Sequence, residues 1–135
     1  MNWKLVFQLS LLGLIMAVGT VFVIGPSLEP LLWLVAFLAS AYLIAVRAPG
    51  RYFLHGLCVG LANCFWVTAF HVLFFSRYIA GHPREAAMMS GMARPRLAML
   101  LVGPVVGIIS GCVIGILAII AAKLMAKSTP APATR

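Results

Sequence analysis

Gly103, Gly107, Gly111 and Gly115 recur at every fourth position within Leu97 to Ala122, a run that contains no charged side chain. On a helix this period aligns the four glycines along one narrow groove, where a second backbone can approach closely, the small-residue pattern of packed membrane helices. A run of that length and apolarity has no polar face to offer water, so it reads as a lipid-embedded span.

The rest of the chain agrees with that reading. Charged residues make up 9% of the 135 residues, against roughly 25% in a soluble domain, and the mean hydropathy is +1.11. A water-soluble core is excluded as a destination. The expected fold is all-α: a single domain over residues 1–127, an integral membrane bundle of four transmembrane helices at about 5–24, 28–46, 52–76 and 97–122. A short interfacial helix at about 83–93 is expected between the third and fourth spans, and a disordered tail over 128–135.

Local signals place the boundaries. Gly25-Pro26-Ser27 separates the first two spans, with Gly25 suited to a C′ position and Ser27 to an N-cap; Glu29 and Pro30 then form a first turn. Arg47-Ala48-Pro49-Gly50-Arg51 reads as a type II turn. Its brevity predicts that the second and third spans are antiparallel neighbours. Pro83 suits the first position of the interfacial helix, and Pro104 lies early enough in the fourth span to leave only a mild kink. Lys4 and Ala17-Val18-Gly19 resemble a cleavable signal peptide, but the apolar run continues through Val21 to Ile24, which favours an uncleaved first span.

The formal charge of +8 comes from ten Lys and Arg against two acids, Glu29 and Glu85. The cations sit at the ends of apolar runs and form no continuous face along a phosphate backbone, so no nucleic-acid partner is expected and the partner is the lipid bilayer. Lys4, Arg47, Arg51, Lys123, Lys127 and Arg135 fall on the side of the termini, and Arg77, Arg84, Arg94 and Arg96 on the other. The excess favours cytoplasmic termini, and the expected location is a bacterial-type inner (plasma) membrane. Trp33 and Tyr78 at one boundary, and Trp3 and Tyr52 at the other, read as an aromatic belt. Cys58, Cys64 and Cys112 lie inside apolar runs without metal-ligand spacing and read as packing residues.

Gly56, Gly60, Cys64 and Thr68 repeat the four-residue period on the third span. Two readings follow for these stripes: an intramolecular contact between the third and fourth spans, or a contact with another copy or another membrane protein. Asn63, near the middle of the third span, needs a hydrogen-bond partner such as Ser110 or a carbonyl, or else lines a polar path together with His71. His55 and His71 point about 160° apart on an ideal helix, so they do not share one haem, and no cofactor is expected. His55 is close enough to the Arg51 boundary to be wet.

Met88, Met89 and Met92 with His82 are the only soft donors near water. Met88-x-x-x-Met92 followed by the glycine repeat resembles, over a handful of residues, the MxxxM and GxxxG of copper-uptake transporters, which implies Cu(I) handling by those side chains. In this chain the MxxxM falls between spans and four spans are expected rather than three, so packing is the preferred reading and no metal site is expected. His82, Arg84 and Glu85 read as a surface ion-pair group. There is no Asp in the chain and no GxSxG or HExxH motif, so no catalytic role is expected. The functional expectation is a small non-enzymatic membrane protein that packs or assembles through its fourth helix; the alternative is an oligomeric channel or small-solute transporter with Asn63 and His71 lining the path.

Overall fold

The computed structural model describes residues 1–48 and 50–128. The chain forms α1 (Trp3–Phe22), α2 (Glu29–Arg47), α3 (Tyr52–Leu73), α4 (Phe75–Gly81), α5 (Pro83–Met89) and α6 (Pro95–Ser128). No strand occurs among the described residues, and α1, α2, α3 and α6 are long and apolar enough to cross a membrane. Pro49 of the expected turn and residues 129–135 of the expected tail lie outside the described residues.

Each helix end has a local cause. The Asn2 side chain caps α1 by accepting from the Leu5 N–H at 3.1 Å, which satisfies one of the orphan amides of a first turn. Glu29 and Pro30 open α2, the acid complementing the helix dipole. Ser27 is not the N-cap, contrary to expectation: the Gly25 carbonyl accepts from Leu28 and Glu29 N–H at 3.1 and 3.3 Å, and Leu28 takes the cap position. Gly25 is not left-handed either, because α1 already ends at Phe22, where the Gly19 carbonyl accepts from both Val23 and Ile24. Gly50 and Arg51 both have positive φ, +80° and +50°, turning the chain sharply into α3.

Where one interfacial helix was expected there are two short ones. The helix breaks at Phe74 (φ −103°, ψ 34°) and resumes as α4, then Pro83 opens α5, which ends at Met89 rather than near residue 93. Pro95, which needs no N–H at a helix start, begins α6. The helix continues through Pro104 for 34 residues, about 51 Å at 1.5 Å per residue, and takes in Ser128 from the expected tail.

Helix α3 packs most extensively against α6 and next against α1, whereas α2 leans on α6 and touches α3 only sparsely. The tight turn therefore joins two helices that are neighbours in sequence more than in space, because the small-residue face of α3 is already covered by α6. Antiparallel register is visible in the glycines. A methyl group at Gly56 would collide with the backbone of Gly115, at Gly60 with Gly111, at Gly107 with the Cys64 Cβ at 2.7 Å, and at Gly103 with the Thr68 hydroxyl.

The core lies at the end that carries the N-terminus. There Leu5, Val6 and Leu9 of α1 meet Ala41 and Ile44 of α2, Val59 of α3, and Ile114 and Ala118 of α6. The outer faces are apolar too: Phe7, Ile15, Leu31, Val35, Leu101 and Ile109 are all more than half exposed.

Because Leu57 Cα and its carbonyl oxygen both stand 2.8 Å from a Cβ added at Gly111, backbone must move to admit any side chain there. Gly111→Leu is expected to destabilise the fold by at least about 1–3 kcal/mol, read as a lowered unfolding midpoint in detergent. Gly81→Ala, with nothing within 4 Å of the added carbon, should leave the midpoint unchanged. Equal midpoints for Gly111→Leu and wild type would show that the two backbones are not in close contact.

Candidate functional site

Away from the core, α2, α3 and α6 part around a cavity of about 410 Å³ roofed by Tyr78 of α4 and Met89 of α5. Its volume is within the range of small-molecule sites, and its walls are mostly apolar with a few polar groups, as such sites usually are. Glu29, Asn63, Thr68, His71, Tyr78 and Ser110 supply the polar lining, while Trp33, Phe37, Val106 and Met99 are among the apolar walls. Among the described residues no Lys or Arg lines it.

The antiparallel pairing of α3 and α6 sets the depth of each group. Gly60 and Ser110 lie toward the core, Thr68 and Gly103 further out, and His71 beyond them. Cys64 links the two walls, its thiol donating to the Gly103 carbonyl while its sulfur sits 3.5 Å from the Thr68 hydroxyl. The sequence-predicted stripe residues Gly56, Gly60, Cys64 and Thr68 thus all lie on the face of α3 that meets α6.

Asn63 is 4% exposed, and neither its Oδ1 nor its Nδ2 has a hydrogen-bond partner among the described residues. The expected bond to Ser110 does not form, although both residues line the same cavity. Asn63 instead packs over Gly13 of α1, where an added Cβ would come 2.6 Å from both its Oδ1 and its Cα. Gly13 is the space that admits the amide. A buried amide without partners costs roughly 1–3 kcal/mol.

At the outer end three rings stack. His71 lies on Tyr78 at 3.8 Å between centroids, and Tyr78 on His82 at 4.2 Å. His71 Nε2 bonds the Thr20 hydroxyl of α1 at 2.8 Å. His82 donates from Nδ1 to the Tyr78 carbonyl at 2.9 Å, and its Nε2 stands 3.4 Å from Glu29 Oε2, close enough for an ion pair but without hydrogen-bond geometry. Glu29 Oε1 also accepts from the Trp33 indole at 3.3 Å. Burial, reinforced by the carboxylates of Glu29 and then Glu85, pushes the Tyr78 phenol well above its ordinary range.

Several sequence expectations change here. Tyr78 is buried between two imidazoles and is not part of an aromatic belt. His82 pairs with Glu29 across the fold instead of joining Arg84 and Glu85, and Glu85 Oε2 is buried without a partner. The methionine group is divided, since Met88 is 59% exposed while Met89 and Met92 line the cavity. His55 is not wet: it is 3% exposed, accepts the Asn2 N–H at Nε2 and donates from Nδ1 to the Arg51 carbonyl, tying α1 to α3. Sequence spacing had no means of bringing Glu29 to His82, because Glu29 opens α2 while His82 lies at the α4–α5 junction, and their meeting depends on how those elements pack.

Two measurements follow. A phenol held protonated in the fold contributes stability that is complete below the ordinary tyrosine value of about 10 and is lost as pH rises above it. Phenolate absorbance should therefore show one late-titrating tyrosine that disappears in Tyr78→Phe; identical titration curves would contradict its burial. Asn63→Leu removes the orphaned amide and should raise stability by about 1–3 kcal/mol, whereas a loss of stability would mean that the amide is satisfied. The chain matches no protein-family model, no curated protein and no solved structure.

Proposed function

We propose that this chain is a non-enzymatic integral membrane protein, a bundle of four transmembrane helices that binds a small solute in the α2–α3–α6 cavity and carries it across the bilayer. The lipid-like outer faces of the four long helices support the membrane assignment, since water would have to solvate Leu101 and Ile109 on their most exposed sides. Lys4, Arg47, Arg51, Lys123 and Lys127 near the packed end outnumber Arg77, Arg84, Arg94 and Arg96 near the cavity end. That bias favours cytoplasmic termini in a bacterial-type inner membrane, with the cavity mouth facing outward.

One observation carries the solute reading above the rest: a mostly apolar cavity is lined by Asn63, whose buried amide has no hydrogen-bond partner among the described residues. Polar groups buried at membrane depth are costly and mark solute paths. An assembly role through α6 has less to support it. The glycine groove is occupied by α3, so we read it as an internal glycine zipper that holds two walls of the cavity together, leaving any second copy to meet other apolar faces.

Proteoliposomes loaded with a panel of small labelled solutes test this. Wild-type protein should release at least one of them faster than empty liposomes, and Asn63→Leu should slow that release several-fold while its elution profile in detergent stays that of wild type. Release indistinguishable between the two proteins would remove Asn63 from the path, and no release by either would defeat the proposal.

A further inference from the structure

We infer that the solute is an organic cation with an apolar body, bound with its charge toward Glu29; this rests on the cavity being the binding site. The chain has ten Lys and Arg but only two acids. One of those acids lines the cavity, and the other, Glu85, is near enough to act on the Tyr78 phenol at its roof. A strongly basic protein thus keeps its negative charge at this one place, where a cation is attracted and an anion is repelled.

The walls suit the same ligand. Trp33 and Phe37 line it with aromatic rings, which attract a desolvated cation through their quadrupole. Met89, Met92 and Met99 add polarizable surface that accommodates varied apolar shapes. Deeper in, Asn63 also lines the cavity, and its buried amide has no hydrogen-bond partner among the described residues.

Glu29 is also incompletely engaged. Around it stand His82 from the α4–α5 junction, Tyr78 from α4 and Trp33 from its own helix; among the described residues only Trp33 makes a hydrogen bond to it. Its Oε2 faces His82 Nε2 at 3.4 Å without hydrogen-bond geometry, so the carboxylate can take a ligand cation in place of the imidazole. A ligand of this kind needs no Lys or Arg in the lining, and none is there among the described residues.

Calorimetric titration of the full-length protein in detergent with phenyltrimethylammonium and its uncharged isostere tert-butylbenzene separates the possibilities. The cation should bind at least about tenfold more tightly than the isostere, and Glu29→Gln should weaken the cation about tenfold without changing the isostere. Val106→Trp, which fills the cavity from α6, should abolish binding of both, with helix content and elution volume as checks on folding. Equal affinity for the two compounds, a cation affinity unaltered by Glu29→Gln, or no binding of the cation would overturn the ligand class. Binding of both compounds that survives Val106→Trp would instead overturn the cavity as the site.

Discussion

The close approach of α3 and α6 is the constraint on which the other features depend. Helices carrying ordinary side chains pack about 8–10 Å apart, but at Gly56 and Gly115, and again at Gly60 and Gly111, each backbone fills the space that a Cβ of the other would need. Backbones in such proximity gain dispersion along their whole length and lose almost no side-chain entropy on packing. The pair then behaves as one thick element, with α1 laid against α3 and α2 against α6.

Once those two helices are joined, the shape of the remainder follows from where large and small residues fall. At the N-terminal end Leu5, Leu9, Ile44, Val59 and Ile114 fill the space between the four long helices. Toward the other end α2 offers Trp33 and Glu29, which lean on one another and on the α4–α5 roof instead of closing down on α3. A cavity remains there, with an amide at depth and a ladder of stacked rings outside it. The bundle is closed at one end and parted at the other.

Local sequence logic worked where its physics is local. Pro83 and Pro95 open helices because a missing N–H costs nothing in a first turn, and Gly50 turns left-handed where the chain must reverse. It failed at Ser27, whose capping role a backbone turn from Gly25 performs, and at residue 93, since Ser90 and Gly91 end the second short helix early. The site was legible only in pieces. Asn63 and His71 stood out as polar groups in an apolar span, while Glu29 looked like a helix-start acid and Gly13 like any other glycine.

Composition and period alone determined that this chain is helical, that four of its helices are apolar enough to cross a membrane, and that two of them carry small-residue faces. Those properties depend on residues three or four apart, which a helix brings together whatever surrounds it. Tertiary structure decided which helices are neighbours, that Asn63 goes without a partner among the described residues, and that Glu29 meets His82 some fifty residues along the chain. Such pairings depend on how far α2 can approach a closed α3–α6 pair and the α4–α5 roof, which no spacing along one helix encodes.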